Sequence, residues 1–155
     1  MKSSEIQLLL LNQTQEKINS FSVLKSVEKP DKGWVSTIRV SLKMSLRQLG
    51  ERLHISPQGV KDLEKREESG AITINSLKEV GRALDMDLVY GFISRHNSLD
   101  AMIEERAREI AEEVVLKTRK TIHPKNQKNS EIDTKKEILH KTYEISSTMP
   151  SYLWD

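Results

Sequence analysis

The sequence predicts a mostly α fold: a small helical core with one short β-strand and additional helices at the N- and C-terminal ends. Three observations carry this. Apolar residues recur at three- and four-residue spacing in segment after segment, and several of these open on a Ser or Thr suited to an N-cap. A single stretch, Leu88–Ile93, is rich in β-branched and aromatic residues. A hydrophobic content of 36% and a mean hydropathy of −0.56 are low for one globule, and suit a small core carrying solvated helices or tails. At 155 residues the chain is long enough for one compact domain plus extensions, not for two full domains.

In chain order, residues 4–19 read as an amphipathic helix, with Ile6, Leu9, Leu10 and Gln13 giving way to Ile18. A looser stretch from Asn19 to Lys32 ends at the breakers Pro30 and Gly33. A helix from about Trp34 to Leu42 would bury Trp34, Val35 and Ile38. Ser45 can cap the next helix, and Gln48 three residues on completes a capping box. Leu46, Leu49 and Leu53 follow at helical spacing. His54-Ile55 breaks the run, and Ser56-Pro57 restarts it with an N-cap and a first-turn proline. Val60 and Leu63 face inward on this second helix, and Glu67–Ala71 reads as a turn closed by Gly70.

Thr73 or Asn75 caps a further helix through Leu77, Val80 and Leu84, ended by Asp85. Leu88–Ile93 is then the one convincing strand. A single strand must add to another, in this chain or in a second copy. Ser98 can cap a long helix from Leu99 to about Thr118, striped by Met102, Ile103, Ala107, Ile110 and Val114. Residues 126–130 read as a linker, and Glu131–Ser146 as a weakly patterned helix carrying Ile132, Ile138, Leu139, Tyr143 and Ile145. Met149–Asp155 is an apolar end that either docks on a partner or folds back. The resulting division is an N-terminal helix and linker at 1–32, a central domain with the strand at 33–97, and a C-terminal helical extension and tail at 98–155.

The stop and restart within three residues, the small Gly50 where two helices would cross, and an outward polar helix together describe a helix-turn-helix. Residues 33–93 resemble the Cro and phage-repressor type, the XRE family. The pattern [ST]-x-x-[QE]-L-[AG]-x-x-L-x-[VI]-S-x-x-x-V-x-x-L-E is met at every fixed position between Ser45 and Glu64. More narrowly, GWVSTIR, MSLRQLGERLHIS, LEKREESGAIT and DLVYGFI, in that order, are similar to the bacterial family named "mobile mystery protein A", across roughly residues 30–110. The resemblance implies a five-helix-type XRE core. It also implies a presumed antitoxin, encoded beside a Fic-domain protein.

The overall charge of +2 conceals opposed patches. Gly33–Arg66 holds seven Lys/Arg against three acids, Asp100–Glu113 holds six acids against Arg106 and Arg108, and Lys117–Asn129 holds five Lys/Arg and no acid. A basic motif suggests a polyanion-binding surface, the alternative being ordinary solvated faces. DNA affinity comes mostly from phosphate contacts and specificity from base edges. Pro57, Gln58, Lys61 and Asp62 match the positions with which family members reach bases. Gln58 suits adenine, Lys61 guanine and Asp62 cytosine N4, while Pro57 offers only a thymine-methyl contact. Asp62 could equally be a plain helix-face charge, repelled by phosphate.

Lys43, Ser45, Arg47, Lys65 and Arg66 are the candidate phosphate contacts. Relatives often place Gln after the N-cap, where this chain has Leu46, and Gly where it has His54. Arg39 and Glu64 match a structural ion pair typical of the fold. Leu88, Val89, Tyr90, Phe92 and Ile93 are the candidate dimerisation residues.

Other function classes find little support. There is no cysteine, which excludes disulfides and thiolate chemistry. His54, His96, His123 and His140 lie far apart without metal-ligand spacing, and no Gly-rich phosphate loop occurs. No enzyme activity, metal or cofactor is expected. Leu8–Leu11 is too short for a signal-peptide core or a membrane span, so a cytoplasmic protein is expected.

The leading function is therefore a dimeric repressor on a double-stranded DNA operator, an antitoxin that controls its own operon. The competing ones are a protein-interaction module that neutralises a Fic-type toxin with DNA contact secondary, and a mobile-element regulator without a toxin. The inhibitory pattern [ST]-x-x-x-E-[GN], whose Glu obstructs the ATP site of Fic enzymes, does not occur in this chain.

Overall fold

A computed structural model describes residues 3–122 and 130–155; the linker expected at 126–130 lies outside the described residues except for Ser130. The fold is mostly α. Among the described residues the α-helices are α1 (Ser3–Ser20), α2 (Trp34–Ser41), α3 (Leu46–Leu53), α4 (Pro57–Ser69), α5 (Ile74–Ala83), α6 (Leu99–Ile122) and α7 (Ser130–Thr148), with short 3₁₀ helices at Ser22–Ser26 and Ser151–Trp154. None is long and apolar enough to cross a membrane. The chain forms two compact units, Val23–Gly91 and, from both ends of the sequence, Met1–Ser22 with Phe92–Asp155.

The Val23–Gly91 unit is built on Val35, Leu49, Val60, Val80 and Leu84, with Ile38, Met44, Leu46, Leu53, Leu63 and Leu77 packed around them. Apart from Met44 in the α2–α3 connection and Leu84 at the C-cap of α5, each of these comes from the inward stripe of its helix. Trp34 was expected in this core but is 45% exposed, because it stands in the first turn of α2 at the edge of the buried stripe. The turn expected at Glu67–Ala71 begins only at Gly70. α4 continues through Ser69 because Glu67 is not a solvated turn residue but a buried one on the helix's inward side. Gly70 then ends the helix at φ 80°, its N–H donating to the carbonyls of Arg66 and Glu67, an αL cap that glycine adopts without steric cost. Thr73, not Asn75, caps α5 by accepting from the Ser76 N–H at 3.1 Å.

No strand is present among the described residues. Leu88–Ile93 runs without regular secondary structure, and Val89 and Phe92 are 71% and 85% exposed. A strand exists only through lateral pairing, and no described segment pairs with this one in a ladder.

The other unit packs α6 against α7, with Ile103, Ala107, Ala111, Ile145 and Leu153 at its centre. The stripe on α6 is shifted from the expected one. Ile103, Ala107, Ala111 and Val115, four residues apart, are buried, while Val114 is exposed. On α7 the inward residues are Ile138, Thr142 and Ile145, and the expected Ile132, Leu139 and Tyr143 form a second, exposed stripe. Helix α1 keeps Ile6, Leu9 and Leu10 in solvent and sets only Leu11 on the core. Gln15 of α1 accepts from the Leu99 N–H at 2.6 Å, and Ser98 Oγ accepts from the Ala101 N–H at 3.0 Å, which caps α6. The C-terminal end folds back. Leu153 is buried, and the Arg106 guanidinium donates to the Leu153 carbonyl at 2.9 Å and to the carbonyl of Asp155.

Candidate nucleic-acid interface

The α3–α4 pair is fixed by its caps. Ser45 Oγ accepts from the Gln48 N–H at 3.1 Å while Gln48 Oε1 accepts from the Ser45 N–H at 2.8 Å, a complete capping box. Ser56 Oγ accepts from the Gly59 N–H at 3.0 Å, with Pro57 in the first turn of α4. Between them His54 ends α3 at φ 56°, in the left-handed region. Gly50 is required by contact, not by φ: a Cβ there would lie 2.6 Å from the Ile55 carbonyl oxygen. The turn between the two helices therefore passes over α3 where only glycine fits.

At 3.6 residues per turn, Val60, Leu63, Glu64 and Glu67 share the inward side of α4, Gln58, Lys61, Asp62 and Lys65 share the opposite one, and Pro57 starts the helix on the row of Val60 and Glu64. The four outward residues are exposed, as is Pro57 in the first turn. Gln58 and Asp62 meet, the Gln58 amide donating to Asp62 Oδ1 at 2.9 Å. Lys61 and Lys65 stand one turn apart on the same side, and Arg66 is exposed at its margin.

Of the remaining phosphate candidates, Lys43 is exposed at φ 53° in the α2–α3 connection, beside the Ser45 cap. Arg47 is exposed on α3 with Glu51 at 3.7 Å. Such a surface pair is weak and leaves the guanidinium free to exchange partners. Leu46 packs against the core cluster, so its side chain serves the fold and not the solvent face.

Two carboxylates, Glu67 buried and Glu64 largely so, hold this surface in place. Arg39 and Glu64 form a two-pronged ion pair, Nε to Oε1 at 2.6 Å and Nη2 to Oε2 at 3.1 Å, while Nη1 donates to the Met44 carbonyl at 3.0 Å. Both side chains are near one-eighth exposed (13% and 12%), so the pair clamps α2 to α4 in a largely dry setting.

Glu67 was not singled out from the sequence. Its two carboxylate oxygens accept from the Trp34 N–H at 2.7 Å and the Val35 N–H at 2.9 Å, supplying the N-terminal cap that Gly33 cannot. A Cβ on Gly33 would come within 2.7 Å of that carboxylate carbon. The signal was present, since Val60, Leu63, Glu64 and Glu67 continue one three-to-four stripe. Arg52, also missed, donates to the Ala83 carbonyl at 3.0 Å and ties α3 to the end of α5.

Leu88, Val89, Tyr90, Phe92 and Ile93 lie outside this surface, Tyr90 with Lys78 Nζ 6.0 Å from its ring centre. Among the described residues no group of His, Asp or Glu is placed to hold a metal ion.

A surface of this kind, two lysines and an amide on one side of a capped helix with further cations beside it, suits a polyanion whose grooves offer hydrogen-bonding edges. No protein-family model, curated protein or solved structure matches the chain.

Proposed function

We propose that the protein is a sequence-specific DNA-binding transcriptional regulator, an antitoxin that represses its own toxin–antitoxin operon. In this reading α3 and α4 are the helix-turn-helix of an XRE-type core, and α4 enters the major groove. The observation that carries it is the outward side of α4, where Gln58, Lys61 and Lys65 stand exposed on a helix fixed by the close turn over Gly50 and two satisfied caps. The unbroken match of Ser45–Glu64 to the family pattern supports it, as does the local excess of seven Lys/Arg over three acids.

Gln58 and Lys61 read base edges in this scheme, joined by Pro57 and Asp62. Lys43, Ser45, Arg47, Lys65 and Arg66 meet phosphates. Two copies set their recognition helices about 34 Å apart on a pseudo-palindrome. The Leu88–Ile93 segment becomes a strand by pairing with the same segment of the second copy.

Selection of bound duplexes from a random pool by the full chain tests this. Enrichment of a two-fold-related sequence is the expected outcome, and no enrichment over the starting pool refutes it. The antitoxin role follows from the resemblance, with a Fic-type toxin as partner. Co-expression with the neighbouring gene is expected to relieve its toxicity, and unrelieved growth arrest counts against that role.

A further inference from the structure

In the unit formed by Met1–Ser22 and Phe92–Asp155, α1 and α7 stand apart around an open groove of about 1530 Å³. Its apolar walls are Leu8 and Leu11 from α1, Leu139 and Tyr143 from α7, and Met149 and Trp154 from the folded-back end. Leu139 and Tyr143 are 70% and 73% exposed.

Helix α1 is apolar on two opposite sides. Leu8 and Leu11 face the groove, whereas Ile6, Leu9 and Leu10 form a ridge that lines nothing and is half exposed. From Ile6 to Gln15 it carries no charge. A helix with apolar residues on two sides calls for cover on both, and this one is covered only where Leu11 meets the core.

We infer that the groove receives α1 of a second copy, and gives its own α1 in return. The helices then stack in the order α7, the second copy's α1, α1, and the second copy's α7. Leu8 and Leu11 of both copies meet on the two-fold axis, and each Ile6–Leu9–Leu10 ridge seats on the other copy's Leu139, Tyr143 and Trp154. Both unpartnered sides of α1 are covered by this single operation, as an isologous contact demands.

The area fits. Ile6, Leu8, Leu9, Leu10, Leu139, Tyr143 and Trp154 are each half exposed or more. With on the order of 100 Å² outside on each, they offer roughly 700 Å² per copy, against about 800 Å² per partner in a standard stable interface. The contact is separate from Leu88–Ile93 and needs no DNA.

Sedimentation velocity of the full chain without DNA, from 1 to 100 µM, tests it. The wild type is expected to be dimeric, and L9K or L139E to weaken the dimer at least a hundredfold. Both positions are exposed, so folding is retained, which circular dichroism checks. L9K and L139E combined in one chain are expected to recover dimer, since the two positions face each other across the contact.

The absence of native cysteine allows a second measurement. L8C is expected to cross-link to a covalent dimer on mild oxidation, and V23C, exposed in the other unit, is not. A wild-type monomer at 100 µM overturns the inference. So does a dimer lost in V89P but kept in L9K and L139E, or an L8C variant that does not cross-link.

Discussion

At the residue scale the two carboxylates of α4 decide how α2 is held. Glu67→Ala leaves the Trp34 and Val35 N–H groups of α2 without their acceptor, and is expected to cost about 2–3 kcal/mol in urea unfolding; Glu67→Gln, which keeps one acceptor, is expected to cost less. Arg39→Met strands the Glu64 carboxylate in a largely dry site and is expected to cost about 3–5 kcal/mol, most of it recovered in the Arg39→Met/Glu64→Leu double variant.

A smaller electrostatic effect sits on α6. The hydrogen bond from Lys117, and its charge, hold the Glu113 carboxyl below the usual glutamate range. Its pKa is thus lower folded than unfolded. The associated stability is present at neutral pH and is lost as the pH falls through the acidic carboxylate range. An NMR titration is expected to show Glu113 returning to the ordinary value in Lys117→Ala. The Arg39–Glu64 pair was readable because both residues match an ion pair typical of the fold that the sequence resembles. Glu67 was harder to read because Glu67-Glu68-Ser69-Gly70 has the composition of a turn, and composition does not report that one of its carboxylates points inward.

At the element scale the α3–α4 turn is the most constrained feature. Gly50→Ala places a methyl group 2.6 Å from the Ile55 carbonyl oxygen, and is expected to cost about 1–3 kcal/mol, with a lowered thermal midpoint. Ser45→Ala and Ser56→Ala are each expected to cost about 1 kcal/mol through the lost cap.

These elements were legible because caps, breakers and apolar spacing agree over short distances. The elements that misled did so where spacing admits two answers. Helix α7 carries two apolar stripes, and only packing against α6 selects Ile138, Thr142 and Ile145 over Ile132, Leu139 and Tyr143. On α6 the small Ala107 and Ala111 are fully buried together with Ile103 and Val115, and this stripe leaves Val114 outside. Leu88–Ile93 has strand composition, but a ladder needs a second strand.

At the scale of the whole molecule the chain is two units, one of which takes its helices from both ends of the sequence. That union of α1 with α6 and α7 was not legible, because no local pattern links residues so distant; Gln15 accepting from Leu99 is the kind of contact that makes it. The Val23–Gly91 unit has its own core in Val35, Leu49, Val60, Val80 and Leu84, so a fragment spanning residues 23–91 is expected to unfold cooperatively by circular dichroism, with dispersed amide resonances.

The central claim is that the outward side of α4 reads DNA, and it is tested most directly by anisotropy titrations of the full chain on its selected duplex at several salt concentrations. Gln58→Ala/Lys61→Ala is expected to bind selected and unrelated duplexes with nearly equal affinity. Lys65→Ala is expected to weaken binding to both alike and to reduce the slope of log affinity against log salt by about 1. Wild-type affinity, preference and salt slope retained in both variants would contradict the assignment of α4 as the DNA-reading helix.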